Sequence, residues 1–262
     1  MTETRLPSAY ISHGGGPCFF MDWDPPHEWD GLREALASLI PNLPATPRAI
    51  LVVTAHWETE VFTVASGEAP GLIYDYGGFP AHTYQLTHPA PGDPALAAEI
   101  DALLTAAGIE HRLDATHGWD HGVFIPLKVI DPQARIPIVA MSVRGDLDQV
   151  AHLELGRALA PLRGQGVLII GSGFSFHNFA KFGAPEAQVF DDWLQEMMTS
   201  DATTRWDALA HWSDAPTARI AHAREEHLIP LMVAAGAADD RPARRFFSGR
   251  VLNTPTSCWL FD

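Results

Sequence analysis

The chain is poor in cysteine and in positive charge, and these shortages already exclude some classes of protein. Its 262 residues include 2 cysteines, and 17 lysines and arginines stand against 32 aspartates and glutamates. Cys18 and Cys258 are too few for the disulfide framework of a small secreted protein, and they agree with a reducing cytoplasm. Although Cys18 follows His13 closely in sequence, we expect its thiol to pack rather than to bind a metal.

The formal net charge of −15 argues against a nucleic-acid partner, because neutralising phosphates requires clustered lysines and arginines. The same charge argues against docking on an anionic membrane surface. We attribute the acidity to solubility. The composition therefore predicts neither a nucleic-acid partner nor a membrane partner.

Long apolar runs and linkers are also missing. The runs Ala49–Thr54 and Val167–Ile170 are too short to cross a bilayer, and no basic segment followed by an apolar one marks a secretory signal. We therefore expect a cytoplasmic protein. Without a Gly/Ser-rich stretch, a repeat or a block of like charge, residues 1–262 are predicted to form a single catalytic domain with a full core, of unknown oligomeric state.

What the chain does contain is an alternation of short apolar strands with helices. Ala49–Thr54 is a nearly continuous β-branched run that suits a central strand buried on both faces. Further strands are predicted near the C-terminus and at Ala9–Ser12, Ile136–Ser142 and Gly166–Gly171. Helices are predicted at Gly31–Ile40, from Pro94 to near Gly108, and at Leu147–Leu162, Ala187–Thr199 and Arg224–Ala235. This pattern predicts an α/β sandwich, in which helices flank a central, largely buried β-sheet.

Four histidines lie where a predicted strand or helix gives way to a turn: His13, His56, His177 and His227. Imidazole is the commonest metal ligand in proteins and the commonest acid–base group at neutral pH. Ligand sites of such sheets collect at the carboxyl ends of the strands, where His13, His56 and His177 fall. The sequence therefore predicts a metal site at the strand ends.

Each of these histidines also has a structural interpretation, since a single histidine after a strand is more often a satisfied side chain than a ligand. For His227 the competing interpretation is an exposed, charged first helical turn. Asn178 follows His177 and could orient its ring. His117 and His121 stand in His-Gly-Trp-Asp-His-Gly, where the glycines favour a loop. We expect His121 either to contact a metal ligand or to face a substrate, and His117 to have no role.

Several short motifs follow one another in a characteristic order along nearly the whole chain. They are Thr54-Ala55-His56-Trp57-Glu58-Thr59, Asp75-Tyr76-Gly77-Gly78-Phe79-Pro80, Pro89-Ala90-Pro91-Gly92, Gly118-Trp119-Asp120-His121-Gly122, Gly171-Ser172-Gly173 leading to His177-Asn178, and Glu226-His227 before Pro230-Leu231. Together these motifs resemble the class III extradiol ring-cleavage dioxygenases, within them the 4,5-DOPA extradiol dioxygenase-like subgroup and its bacterial relatives.

The resemblance implies a mononuclear non-haem Fe(II) oxidoreductase of aromatic compound catabolism, which uses O2 to open a catechol ring beside its two hydroxyls. It implies that His13 and His56 are metal ligands. The third ligand is His227, at a position where the wider superfamily has glutamate, and Glu226 next to it is the alternative. Fe(II) is expected in the active enzyme, whereas Zn(II) can occupy the same ligands in purified or crystallised protein.

The resemblance also implies roles around the metal. His177 matches the acid–base residue of the family, and in zinc-loaded relatives that histidine can approach the metal as a fourth ligand. His121 would hydrogen-bond the substrate or bound oxygen. Trp57, Tyr76 and Phe79 would form apolar walls that bind the substrate.

Two segments depart from the family pattern: His117 before Gly118, and the aromatic stretch Phe174-Ser175-Phe176. Both bear on which ring substituent fits. Lys128 and Arg144 are candidates for binding a substrate carboxylate, and nothing in the sequence ranks them. Histidines without a carboxylate also describe a tetrahedral zinc site with one open position. The alternative function is therefore a zinc-dependent hydrolase or a non-catalytic metal-binding protein on the same fold.

Overall fold

The computed structural model describes residues 5–262, whose strands form one mixed β-sheet. The strands are β1 (Ser8–Ser12), β2 (Ala49–Thr59), β3 (Phe62–Ala65), β4 (His111–Asp114), β5 (Ile138–Arg144), β6 (Val167–Gly173), β7 (Arg244–Val251) and β8 (Thr254–Phe261). Their order across the sheet is β4-β3-β5-β2-β6-β1-β8-β7. The predicted α/β architecture with a central sheet is confirmed.

Helices cover both faces of this sheet. They are α1 (Asp30–Ala37), α2 (Pro94–Ala106), α3 (His121–Ile130), α4 (Gln149–Leu159), α5 (Pro161–Gly164), α6 (Pro185–Met198), α7 (Ala202–Ala210), α8 (Ala218–Ala221) and α9 (Ile229–Gly236). Within residues 5–262, no helix has the length and apolar character needed to cross a membrane.

The four strands at the centre of the sheet, β5, β2, β6 and β1, are parallel. Leu51 of β2 pairs with Ile169 of β6, and Tyr10 of β1 pairs with Gly171 of β6. The antiparallel strands β3 and β8 flank this group. Because β2, β6 and β1 are parallel neighbours, their carboxyl ends meet at the same edge of the sheet.

The side chains of β2 alternate between two apolar cores, one on each face of the sheet. Ile50 and Val52 pack with α1 and α3, whereas Leu51 and Val53 pack with α2, α4 and α9. A strand buried on both faces reads as a continuous apolar run, which is what the sequence shows here. The prediction of a central strand at Ala49–Thr54 is confirmed, although β2 continues to Thr59.

Prolines account for the helix boundaries that the sequence pattern placed wrongly. The predicted helix Leu147–Leu162 is two helices, α4 and α5, and Pro161 begins the second. The helix predicted to start at Arg224 begins instead at Ile229, with Pro230 in its first turn. Proline has no N–H and clashes with the carbonyl of the preceding turn, so a helix tolerates it well only near its start. The loop expected between His117 and His121 extends to Asp120, and His121 begins α3.

A buried arginine ties the amino-terminal end of β1 to α9 and β8. Arg163 is 1 % exposed, and its guanidinium donates to the backbone oxygens of Leu6 at 2.7 Å, Ala237 at 2.6 Å and Phe261 at 3.2 Å. These carbonyls come from three separate segments of the chain. The charged donor therefore fixes the end of α9 against the paired strands β1 and β8.

We expect Arg163→Met to lower the free energy of unfolding by about 3 kcal/mol or more, because buried carbonyls lose charged donors. Urea denaturation measures this change. Arg33, which is exposed on α1, supplies the control, and Arg33→Met should change stability by about 0.5 kcal/mol or less. Equal stabilities of the two variants would show that the buried guanidinium does not stabilise the fold.

Candidate active site

The histidines singled out by sequence come together at the carboxyl ends of β1, β2 and β6. His13 directly follows β1, and its backbone N–H donates to the Gly173 carbonyl at 2.9 Å. His56 lies in the last part of β2, His177 lies beyond β6, and His227 lies in the turn before α9. Distant parts of the chain thus place imidazoles at one edge of the sheet.

His56 owes its position to an irregularity in β2. Thr54 pairs with Ser142 of β5, and the next pair is Glu58 with Val143, so residues 55–57 have no partner on β5. Such extra residues break the ladder locally and redirect side chains. This bulge, rather than a simple strand end, presents His56 to the other histidines.

The Nε2 atoms of His13 and His227 both lie close to the Nε2 atom of His56. The Nε2 atom of His56 lies 3.1 Å from Nε2 of His13 and 3.1 Å from Nε2 of His227. An ion held at about 2.1 Å from two imidazole nitrogens in tetrahedral or octahedral geometry would separate them by about 3.0 to 3.4 Å. The observed spacing therefore fits one metal ion shared by these rings.

The outward-facing nitrogens of two of these rings have fixed acceptors. His13 Nδ1 lies 2.9 Å from Ser172 Oγ, and that hydroxyl donates to the Gly122 carbonyl at 2.5 Å, so it accepts from His13. His227 Nδ1 lies 2.9 Å from a carboxylate oxygen of Glu226. A ring that donates through Nδ1 carries its lone pair on Nε2, which is the form that binds a metal.

Asp75 accepts from the His121 ring in the same way, and it lies near the His56 ring. Its Oδ1 accepts from the backbone N–H of His121 at 2.9 Å and from Nδ1 of the same residue at 2.9 Å. Its Oδ2 lies 3.4 Å from Nδ1 of His56. The ring centroids of His56 and His121 are 3.9 Å apart, so His121 belongs to the same cluster.

His177 contacts the cluster through His227. The two rings stack with centroids 3.4 Å apart and an angle of 18° between their planes. His177 Nδ1 lies 3.1 Å from Oε1 of Glu226. Asn178, which was expected to orient His177, donates its amide to the Ile220 carbonyl at 2.7 Å. The contact with the His177 ring is therefore made by Glu226.

The buried rings are neutral near pH 7. Burial, together with the neighbouring imidazoles, holds the pKa of His13 and of His56 well below the usual range, and burial lowers the pKa of His227 to about 4. Burial favours the protonated form of Glu226, but its contacts with His177 and His227 outweigh that effect and keep its pKa below the usual range. The site thus combines neutral imidazoles with an ionised carboxylate, the protonation states that metal binding requires.

Small residues in β6 allow the turn that carries His227 to lie directly on the sheet. A Cβ atom at Gly171 would collide with the Pro230 carbonyl, and one at Gly173 would collide with the His227 carbonyl. Tyr10 donates its hydroxyl to the same His227 carbonyl at 2.8 Å. These contacts fix the His227 backbone against β6 and β1.

The aromatic residues expected at the substrate differ in their surroundings. The Tyr76 ring centroid lies 5.8 Å from that of His121, and the Phe79 centroid lies 5.6 Å from that of Tyr76. Trp57 is 7 % exposed and stacks on His117 with centroids 3.6 Å apart. His117, for which we expected no role, therefore covers one face of the Trp57 indole.

The remaining candidates have structural surroundings. The Cys18 thiol packs in the core beside α1, and both cysteines are free. Lys128 donates to the Thr87 carbonyl at 2.8 Å, and Arg144 pairs with Asp146 at 2.8 Å. The departing aromatics Phe174 and Phe176 are buried in the core, which gives them a packing role.

Comparisons with known proteins agree with this fold. Residues 7–255 match the family described as the catalytic LigB subunit of aromatic ring-opening dioxygenase. The class of protein is thus a ring-opening dioxygenase, and the chain belongs to this family. More narrowly, it is an extradiol ring-cleavage dioxygenase, as its curated relatives indicate.

Among these relatives, the 4,5-DOPA dioxygenase extradiol of Portulaca grandiflora is 41% identical over 89% of this chain and 87% of its own length. The dioxygenase tasH of Hapsidospora irregularis is 38% identical over 95% of this chain and 84% of its own length. The crystal structure of an uncharacterised protein from Escherichia coli K12 has the same fold, with a TM-score of 0.80 and 28% identity over 98% of this chain and 100% of that one.

We expect Ser172→Ala to weaken metal binding about 10- to 100-fold, because His13 Nδ1–H loses the acceptor that fixes its tautomer. Titration calorimetry of the apoprotein with Zn²⁺ measures the affinity. Ser8 is a matched control, since it is buried on β1 and donates to the Ala234 carbonyl at 2.7 Å. Equal affinities of Ser172→Ala and Ser8→Ala would contradict a role for the hydroxyl in orienting the ring.

Proposed function

We propose that this extradiol dioxygenase depends on non-haem Fe(II) and uses O2 to cleave the ring of a catechol-type substrate, DOPA-like or otherwise substituted. The observation that carries the proposal is the convergence of three imidazole Nε2 atoms, each with its Nδ1 facing an acceptor. The relatives named 4,5-DOPA dioxygenase extradiol support a catechol of this class.

In this proposal His13, His56 and His227 hold the metal. Three protein ligands would leave coordination positions for the substrate and for O2. When bound, the ion supplies Lewis acidity and the redox chemistry of oxygen activation, which Zn(II) in the same site would not supply. The Glu226 carboxylate contacts the Nδ1 side of the His227 ring, so we retain His227 rather than Glu226 as the third ligand.

His177 and His121 would handle protons and hydrogen bonds around the substrate. His121 donates from Nδ1 to Asp75, which leaves its Nε2 free to accept a proton, and His177 Nδ1 lies 3.1 Å from the Glu226 carboxylate. We assign His177 as the base that would take a proton from a catechol hydroxyl and later return one. In protein loaded with Zn(II), the same residue would be a fourth ligand. We assign His121 as a hydrogen-bonding partner of the substrate, and Trp57, Tyr76 and Phe79 as its apolar surroundings.

We also propose the domain organisation, the partners and the cellular location. We propose that residues 1–262 form one catalytic domain, a reading supported by the pairing of β1 with β8 across the sheet. Its partners would be a small catechol and O2, without nucleic acid or membrane, because the net charge of −15 disfavours both. A cytoplasmic location agrees with the free thiols. The family match favours this dioxygenase function over the zinc hydrolase alternative.

The first test is oxygen uptake. We expect protein loaded anaerobically with Fe(II) to consume O2 and form a yellow ring-fission product with at least one member of a catechol panel. Protein loaded with Zn(II) should do neither, because zinc does not change oxidation state. Absence of both signals from the iron-loaded protein across the panel would reject the dioxygenase proposal.

The second test separates ligands from the acid–base residue. We expect His13→Ala and His56→Ala to lose bound metal, whereas His177→Ala should keep the metal and lose about 10²- to 10⁴-fold in kcat. Metal content is measured by plasma emission spectrometry, and turnover by oxygen uptake. His211→Ala alters a histidine whose side chain is 65% exposed and serves as the control. Equal metal loss in His13→Ala, His56→Ala and His177→Ala would make His177 an obligatory ligand.

A further inference from the structure

We propose that Asn178 and His222 are positioning residues that set the place of His177 beside the metal ligands. His177 is the residue assigned above to proton transfer, so the inference rests on the proposed function and deepens it. It assigns to two further side chains an effect on turnover that is exerted through His177.

Two hydrogen bonds join the neighbourhood of His177 to the end of α8. The Asn178 amide donates to the Ile220 carbonyl at 2.7 Å, and the His177 backbone N–H donates to the Ala221 carbonyl at 3.0 Å. Ala221 is the last residue of α8. The backbone at His177 is therefore tied to the position of this helix end.

The His222 ring, which comes directly after α8, makes a third hydrogen bond. Its Nε2 atom lies 3.2 Å from the Ser175 carbonyl oxygen, and since a carbonyl only accepts, Nε2 carries the hydrogen. Burial lowers the pKa of His222 to about 3, so the ring is neutral and holds a single hydrogen. Residues 175–178 are thus joined to residues 220–222 by three hydrogen bonds.

Packing alone does not account for an imidazole at position 222. The His222 ring is fully buried between Phe190 and Trp212, whose ring centroids lie 5.5 Å and 5.9 Å from its own. Its Nδ1 atom has no hydrogen-bond partner among the described residues. A buried polar atom without a partner costs free energy, which an apolar side chain between these rings would avoid. What the imidazole adds is the hydrogen bond to the Ser175 carbonyl.

The beginning of the same segment is tied to the parts of the chain that carry the metal ligands. The Phe174 backbone N–H donates to the His227 carbonyl at 3.1 Å, and the Ser175 backbone N–H donates to Ser12 Oγ at 3.1 Å. These contacts fix where the segment starts, before the chain reaches His177. The position of His177 itself depends on the three contacts with the end of α8.

A small displacement of His177 would affect turnover more than metal binding. A general base must lie within hydrogen-bond reach of the proton that it takes, and a misplacement of about 1 Å can cost about 10²-fold in rate. His13 follows β1 and His56 lies in β2, so loss of the contacts with α8 should leave both ligands in place. The proposal therefore predicts a loss of kcat without a loss of metal.

The experiment compares His222→Leu, His222→Gln and Asn178→Leu with the wild-type protein. In His222→Gln the side-chain amide can donate to the Ser175 carbonyl in place of Nε2. His152→Leu is the matched control, because His152 is also fully buried and its Nδ1 lies 2.6 Å from a backbone carbonyl, that of Asp148. His152 lies on α4, outside the histidine cluster.

Three quantities are measured for each variant. Amide hydrogen exchange followed by NMR gives the protection of the backbone N–H groups of His177 and Phe174. Iron content after anaerobic loading gives metal binding. Oxygen uptake gives kcat and KM for a catechol that the wild-type protein cleaves, and it is repeated with each substitution combined with His177→Ala.

We expect His222→Leu and Asn178→Leu to speed exchange of the His177 N–H about 10-fold or more, because neighbouring hydrogen bonds are lost. Exchange of the Phe174 N–H and the iron content should stay at wild-type values. The value of kcat should fall about 10- to 100-fold, with KM changed less. His222→Gln should recover most of kcat, and His152→Leu should keep the wild-type kcat and the wild-type exchange at His177.

Combination with His177→Ala separates positioning from a general structural effect. If His222 acts only through His177, then His222→Leu should lower kcat no further once the imidazole at position 177 is gone. An additional loss of about 10-fold or more in the double variant would overturn the proposal. A wild-type kcat in both His222→Leu and Asn178→Leu would overturn it equally.

Failure of this inference is distinguishable from failure of the proposed function. If the wild-type protein cleaves no catechol, the proposed function fails, and hydrogen exchange still shows whether His222 and Asn178 hold the His177 segment. Unchanged exchange of the His177 N–H in both leucine variants would overturn the inference, whatever the turnover. If His222→Leu does not fold, Asn178→Leu decides by the same measurements, since Asn178 is only half-buried.

Discussion

A metal ion can bind several neutral imidazoles at once only if each ring directs a lone pair, and not a hydrogen, toward it. In this protein the acceptors lie on the opposite side of the rings, where Ser172, Asp75 and Glu226 contact the Nδ1 atoms. Each acceptor fixes a tautomer and an orientation at once. The metal-binding geometry therefore depends on residues that never touch the metal.

Supplying these acceptors places demands on the whole fold. Ser172 comes from β6, Asp75 from the loop after β3, and Glu226 from the turn before α9, so the acceptors are as widely separated in sequence as the rings. The turn reaches its position because β6 has glycine where a side chain would collide with the Pro230 and His227 carbonyls. Packing between backbones, rather than side-chain volume, thus decides where the third ring lies.

The sequence was sufficient for the central strand and for the histidines at the strand ends, because both follow from local patterns. The apolar run from Ile50 to Val53 predicts a strand buried on both faces. His13 directly follows a predicted strand in the sequence. The apolar periodicity predicted a helix from Arg224, although Pro230 is typical of a first helical turn. Pro230 indicates the start of α9 more closely than the apolar pattern does. The family motifs, in turn, marked Asp75 and Glu226 without showing which atoms they contact.

The parts that sequence could not predict are those set by contacts through space. The bulge that presents His56 exists only in the register between β2 and β5, and no local pattern encodes that register. The stacking of His117 on Trp57 is likewise a contact between distant segments. Asn178 was favoured as the partner of His177 because it is adjacent in sequence, whereas the actual partner, Glu226, is adjacent only in space.

The carboxylates of Asp75 and Glu226, which lie behind the rings, also affect the net charge around the metal site. A divalent ion bound by three neutral imidazoles keeps both of its positive charges, and ionised Asp75 and Glu226 bring two negative charges to the next layer. If histidine takes the place of a glutamate ligand, the carboxylate charge is therefore not lost. It lies behind the imidazole ring, one ring width further from the metal. An anionic substrate would meet the charge of a bound ion at short range and the opposing carboxylates only at greater distance, so its attraction to the centre would be steep and local.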